Sequence, residues 1–136
     1  MIDFNYELDF KLDNEDASKE WISKCIADFD KEEGELQYIF CDDEYLLKLN
    51  VEFLEHDTLT DIISFDYVMG DLISGDIFIS IERVKENAKE LGIDFKDELD
   101  RVLIHGVLHY LGFKDKTDDD KIVMRSKEDY CLSLRA

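Results

Sequence analysis

The sequence has no proline, three cysteines and few basic side chains. We have no physical account of the missing proline. The cysteines (Cys25, Cys41 and Cys131) are odd in number and far apart, which argues against a disulfide framework or a C-x-x-C zinc site and predicts reduced core thiols. No apolar run approaches the ~18 residues of a membrane helix, and the acidic, alternating N-terminus is unlike a signal peptide. We therefore expect a soluble cytoplasmic protein with no membrane partner.

Positive charge is also scarce, with 16 basic against 35 acidic side chains and a net charge of −19. Such a balance argues against nucleic acid as a partner, because phosphate binding relies on a basic field. The excess is uneven, however: residues 1–80 carry 5 basic and 22 acidic side chains, and residues 81–136 carry 11 and 13. The acidic part is expected to be a solvated surface, with a docking face for a basic protein as the alternative. The nearly neutral part contains a basic group formed by Lys114, Lys116, Lys121, Arg125 and Lys127.

The length of 136 residues and the apolar pattern predict one domain, residues 1–136, of the α/β class. The element order β-α-β-α-β-β-α-α-α predicts a small mixed sheet covered by helices, with the candidate metal site on a central helix. The opening strand is expected to alternate from Ile2 to Leu12, and Gly34 to close the first helix. The last helix, from about residue 119 to 134, is expected to pack Ile122, Val123, Tyr130 and Leu134 inward.

Two of the three histidines lie in the segment L-I-H-G-V-L-H-Y-L-G-F-K-D at residues 103–115. His105 and His109 are four residues apart, so a helix presents both imidazoles on one face, where they can share a cation of the zinc class. Gly112 suits a left-handed helix end, and Asp115 follows within reach as a third ligand. Three protein ligands with a fourth position left to water is the arrangement of a catalytic zinc site. The alternative is that both histidines are polar residues on a half-buried face.

Three sequence blocks resemble a known family. Residues 105–115, H-G-V-L-H-Y-L-G-F-K-D, are similar to the H-G-x-L-H-L-x-G-Y-D-H signature of the YbeY family, the metal-dependent endoribonucleases of ribosomal RNA maturation. Residues 50–65, N-V-E-F-L-E-H-D-T-L-T-D-I-I-S-F, resemble its N-x-x-Y-R-x-K-D-x-P-T-D-V-L-S-F, and residues 75–77 resemble its G-D-[IV] strand. The blocks occur in the right order and cover most of residues 40–130.

This resemblance implies a mixed α/β fold, one Zn²⁺ ion and a cytoplasmic location. It also implies single-strand endoribonuclease activity in the maturation of the 16S rRNA 3′ end and in ribosome biogenesis. The expected partners are rRNA and the small ribosomal subunit, with a ribosomal protein or a GTPase as a candidate protein partner.

Two positions depart from the family pattern. The family's first two ligands fall on His105 and His109, but its third histidine falls on Asp115, which keeps an oxygen ligand there and can alter affinity or metal preference. The arginine that would steady a phosphate falls on Leu54. Lys114, Lys116 or Arg83 is then expected to bind the substrate phosphate, unless nuclease activity is weaker here.

Three classes of function remain open: a zinc-dependent endoribonuclease, a metalloprotease or other metal hydrolase, and a ribosome-assembly module that keeps the metal without catalysis. His105 is followed by Gly106, whereas the H-E-x-x-H metalloproteases have their general base there. Asp61 and Asp76 are candidates for proton transfer, with a structural role at a strand end as the alternative. His56 is interpreted as a surface-loop residue, with a fourth-ligand or substrate-binding role as the alternative.

Overall fold

A computed structural model describes residues 1–54 and 59–135, apart from the side chain of Leu54. The predicted element order is confirmed. The described residues form these strands and helices: β1 (Ile2–Tyr6), α1 (Glu15–Asp28), β2 (Glu32–Cys41), α2 (Asp43–Leu54), β3 (Ile62–Asp66), β4 (Leu72–Ser80), α3 (Ile81–Leu91), α4 (Phe95–Tyr110) and α5 (Asp118–Ser133). In that part of the chain, no helix has both the length and the apolar character needed to cross a bilayer.

The strands form one mixed sheet, as predicted, with the order β1-β2-β4-β3. β2 pairs in parallel with both β1 and β4, and β3 pairs antiparallel with β4. Parallel neighbours need crossover connections, which the helices provide, whereas β3 and β4 are joined by a short connection around Gly70. The antiparallel edge strand β3 begins directly after Asp61.

Helix α4 packs against the sheet through a fully buried stripe. Leu103, Ile104, Val107 and Leu108 of this helix have no solvent exposure. The helix approaches β4 closely at Gly106, where a Cβ atom would lie 3.0 Å from the Cδ1 atom of Ile77. Because the apolar stripe faces the sheet, the histidines on the neighbouring face of α4 are directed toward the side where α5 packs.

Two predicted boundaries were wrong. Helix α1 ends at Asp28, and the chain reverses at Asp30, whose φ angle is +58°, so Gly34 does not close this helix. Gly34 lies within β2 instead, next to a register shift, where a side chain would collide with Ser74 and lie 2.9 Å from the carbonyl oxygen of Ile73. The opening strand ends at Tyr6, and the apolar residues after it pack on the core outside the sheet.

The predicted inner face of α5 was also wrong in part. Ile122 is 69% exposed, and Val123 and Tyr130 are exposed as well, although Leu134 does pack against the core. The buried residues of α5 are Met124, Glu128 and Cys131. The apolar pattern failed because this helix is oriented by a buried charged residue, Glu128, whose partners lie on α4.

Candidate metal centre

Three predicted ligands converge at the C-terminal end of α4. The Nε2 atoms of His105 and His109 are 3.1 Å apart. After α4 the chain turns at Gly112, whose φ angle of +103° lies in the region that favours glycine. The turn brings the Oδ2 atom of Asp115 to 3.2 Å from Nε2 of His105 and 3.4 Å from Nε2 of His109. These three side chains are half-buried, and they form the group of the described residues that could hold a metal ion.

The spacing of these donors fits a small divalent cation. A tetrahedral ion with ligand distances of about 2.0–2.1 Å has ligand–ligand separations of about 3.3 Å, close to the three observed. Two imidazole nitrogens and a carboxylate oxygen that face one point bring lone pairs together, and a cation offsets their repulsion. Half-burial leaves a position open on the solvent side. The donor set of two nitrogens and one oxygen is typical of zinc-class ions.

Glu128 on α5 orients the first histidine. Its Oε2 atom lies 2.6 Å from Nδ1 of His105, so Nδ1 carries a proton, and in the neutral imidazole Nε2 keeps the lone pair that a metal ion would bind. The Nη1 atom of Arg101 donates to Oε1 of Glu128 at 2.9 Å. Burial alone raises the pKa of Glu128, but the hydrogen bonds from His105 and Arg101 outweigh burial and hold its pKa below the usual value. Glu128 is therefore a carboxylate that fixes the tautomer of His105.

The candidate ligands open into a cavity of about 440 Å³. Its lining consists of Thr60, Asp61, Ile62, Ser64, Glu98, Arg101, Val102, His105, His109, Asp115, Arg125 and Glu128. Burial raises the pKa of both Asp61 and Glu98 above their ordinary values. The Oε1 atom of Glu98 is buried without a hydrogen-bond partner in the described structure. Two carboxyl groups with raised pKa values thus lie in the same cavity as the candidate ligands.

Other residues singled out in the sequence lie elsewhere. Asp76 accepts a hydrogen bond from the hydroxyl of Tyr67 at 3.1 Å, and it is not part of the cavity lining among the described residues. Arg83 forms an ion pair with Asp43 at 2.9 Å, outside that lining. Asp61, in contrast, does line the cavity, so it remains a candidate for proton transfer.

The sequence also singled out two lysines, Lys114 and Lys116, and two positions near the end of α2, Leu54 and His56. Lys114 and Lys116 flank Asp115 on the exposed surface, and neither belongs to the described part of the cavity lining. A substrate contact by either lysine stays a prediction. His56 lies outside the described residues, and so does the side chain of Leu54.

The sequence interpretation missed Glu128, Arg101 and Glu98. All three are charged residues that the structure places at the site from α4 and α5. A helical wheel of α5 drawn through Met124 and Cys131 places Glu128 on the same buried face, and this was the available signal.

Fold and site together define a small mixed α/β protein with a candidate hydrolytic metal centre. A family model described as Endoribonuclease YbeY matches residues 4–135. The chain belongs to this family. The solution structure of TM1509 from Thermotoga maritima has the same fold, with a TM-score of 0.71 over 98% of this chain and 88% of that one, at 24% identity.

Curated relatives match over most of their length. A protein of Flavobacterium johnsoniae named Endoribonuclease YbeY is 64% identical over 134 residues, which are 98% of this chain and 96% of the relative. A protein of the same name from Bacteroides thetaiotaomicron is 46% identical over 116 residues, 85% of each chain. Endoribonucleases are hydrolases that act on RNA phosphodiester bonds, so a hydrolytic metal centre agrees with the names of these relatives.

Proposed function

We propose that this chain is a metal-dependent endoribonuclease that hydrolyses phosphodiester bonds of single-stranded RNA. The observation that carries the proposal is the convergence of His105, His109 and Asp115 within about 3.4 Å of one another in an open cavity. Membership of a family whose curated relatives are named endoribonucleases gives the substrate class. One Zn²⁺ ion is the proposed cofactor, because the spacing and the donor atoms suit it.

Each residue of the site has a role that follows from its contacts. His105, His109 and Asp115 would hold a divalent ion, which would supply Lewis acidity for hydrolysis of a phosphodiester near neutral pH. Glu128 keeps the proton of His105 on Nδ1, which leaves Nε2 available as a ligand. Asp61 and Glu98 hold protons at higher pH than ordinary carboxyl groups, because both are desolvated. Asp61 is therefore the proposed group for moving a proton at its carboxyl oxygens during cleavage.

The proposed biological role is maturation of the 16S rRNA 3′ end during ribosome biogenesis in the cytoplasm. The three sequence blocks at residues 50–65, 75–77 and 105–115 support this role through their resemblance to the family. The small ribosomal subunit and its rRNA are the proposed partners, and a ribosomal protein or a GTPase is the proposed class of protein partner.

The packing of α4 opposes a peptidase function. Metalloproteases of the H-E-x-x-H type need a glutamate directly after the first histidine. Here that position is Gly106, and a Cβ atom there would lie 3.0 Å from Ile77 and 3.2 Å from the Cδ1 atom of Ile62. The helix lies too close to the sheet for a glutamate side chain without displacement of the sheet residues.

The decisive experiment measures zinc content and RNA cleavage together. Wild-type protein, His109→Ala and the exposed control Ser126→Ala are assayed on a labelled single-stranded RNA. We expect about one zinc per chain and cleavage in wild type and control, with both lost in His109→Ala. Zinc binding without cleavage of any RNA would favour an assembly module over an enzyme. No zinc in the wild-type protein would overturn the site itself.

A further inference from the structure

An RNA substrate needs a cation close to the metal ligands, and this requirement follows from the proposed function. Among the described residues, four acidic side chains (Asp61, Glu98, Asp115 and Glu128) and two arginines line the cavity. With all four acidic side chains ionised, a divalent ion at the histidines would only neutralise this lining and leave no excess positive charge for a phosphate. With a net charge of −19, the rest of the chain repels RNA as well. One of the two arginines is therefore the candidate for the phosphate contact.

Arg101 is already used inside the protein. Its Nη1 atom donates to Glu128 at 2.9 Å and its Nη2 atom donates to Asp129 at 2.9 Å. The side chain is only 19% exposed. Turning Arg101 toward a ligand would remove one partner of Glu128, the residue that holds His105. Arg101 is thus a positioning residue for the metal centre.

Arg125 is the arginine that remains available. It lies one turn before Glu128 on α5, and its side chain is 59% exposed although it lines the cavity. Its ion pair in the described structure is long, with Nε 3.9 Å from Oε1 of Glu128, well beyond the usual hydrogen-bond range of about 2.7–3.2 Å. Within residues 1–54 and 59–135 neither terminal nitrogen of the guanidinium has a hydrogen-bond partner, so both can bind two oxygens of one phosphate.

We propose that Arg125 binds a phosphate of the RNA beside the metal centre. Position 54, where the family resemblance expects this cation, holds an uncharged leucine. The cation therefore reaches the phosphate from α5 instead of from the end of α2. Because one helix carries Arg125 and Glu128 on neighbouring turns, the phosphate contact is placed relative to the metal ligands by the same packing that orients His105.

The test compares Arg125→Gln, Arg125→Lys and the control Lys121→Gln. Lys121 is exposed one turn earlier on α5, lies outside the described cavity lining, and loses the same single charge. Zinc-loaded proteins give kcat and KM on a short labelled single-stranded RNA. Metal-free proteins give the Kd for the same RNA by fluorescence anisotropy at several salt concentrations, which is a readout independent of catalysis.

Arg125→Gln should raise KM and Kd by roughly 10- to 100-fold, as expected for loss of a charge-assisted contact to phosphate. The slope of log Kd against log salt should become shallower by about 0.7, the value for one contact to a single strand. Arg125→Lys should keep that slope and recover part of the affinity, because lysine keeps the charge without the planar fork. Zinc content should be unchanged in every variant.

The outcomes separate this proposal from the proposed function. Cleavage by wild type with equal KM, Kd and salt slope in Arg125→Gln and Lys121→Gln would overturn the role of Arg125 and leave the endoribonuclease intact. Wild-type protein that loads zinc but neither binds nor cleaves RNA would overturn both. A loss of zinc in Arg125→Gln would show that Arg125 supports the metal centre, and that result would also overturn the phosphate contact.

Discussion

Replacing Glu128 by glutamine tests whether the carboxylate on α5 supports the metal centre. In the wild-type structure its two oxygens serve different donors, with Oε2 at 2.6 Å from Nδ1 of His105 and Oε1 at 2.9 Å from Nη1 of Arg101. Glutamine has one acceptor oxygen and one amide nitrogen. Whichever way the amide is oriented, its nitrogen faces a donor, and either His105 or Arg101 loses its acceptor.

The expected size of the effect follows from these two contacts. Loss of a carboxylate that orients a ligating histidine lowers metal affinity by about 10- to 100-fold, equivalent to about 1.4–2.8 kcal/mol. The metal-free protein should also lose about 1.5–3 kcal/mol of unfolding free energy, the contribution of one hydrogen bond to a charged group. Glu128 is buried, so solvent does not screen this loss.

Zinc affinity is measured by competition with a chromogenic chelator, and unfolding by urea titration of the metal-free protein. Asp129→Asn is the matched control. Asp129 is the exposed second acceptor of Arg101 at 2.9 Å, and it is not among the hydrogen-bond partners of His105 in the described structure. We expect this control to keep wild-type zinc affinity and to lose at most about 1 kcal/mol of stability. Equal zinc affinity in Glu128→Gln and Asp129→Asn would refute the reasoning.

Three further predictions concern stability, each measured by urea unfolding of the metal-free protein. Burial raises the pKa of Glu98, so the wild type loses stability as pH rises above the ordinary glutamate range. Glu98→Gln should remove this loss, and the difference in unfolding free energy between the two proteins should widen as pH rises through and above that range. Burial also tends to raise the pKa of Asp43, but the hydrogen bond and charge of Arg83 outweigh it and lower the pKa. Asp43→Asn should therefore cost about 1 kcal/mol at neutral pH, and the difference should vanish as pH falls below the ordinary aspartate range; equal costs at pH 3 and 7 would contradict this. Gly75→Ala would place a methyl group 2.6 Å from the hydroxyl oxygen of Tyr110 and should lower the free energy of unfolding by about 1–3 kcal/mol. An unchanged urea midpoint would show that β4 shifts to accommodate the methyl group.

Local patterns in the sequence were sufficient for the element order and for the convergence of the three candidate ligands. His105 and His109 are related by one helical turn, and Gly112 supplies the conformation that returns Asp115 to them, so short-range geometry brings all three together. The caps of α3 at Ser80 and Gly92 are local in the same way, because a cap acts on backbone groups within a few residues.

Long-range charge pairing could not be obtained in this way. Glu128 lies 23 residues from His105 and is buried because α5 packs beside α4, and its pairing with Arg101 depends on the same packing. A pattern that assigns apolar residues to the inner face places Ile122 and Val123 inside, where the structure has them exposed. Position 54 has a leucine where the family pattern has an arginine, and the sequence alone did not show which other basic residue lies at the cavity. The structure places Arg125 there.

The interface between α4 and α5 divides the site between two helices. The ligands belong to α4 and the turn after it, while the residue that orients His105 and the proposed phosphate-binding arginine both belong to α5. A slide of α5 by the rise of a single residue, about 1.5 Å, would displace both groups together. Binding of the proposed metal ion and binding of the proposed RNA substrate would therefore change together, and a contact on the exposed side of α5 would alter both without touching the cavity.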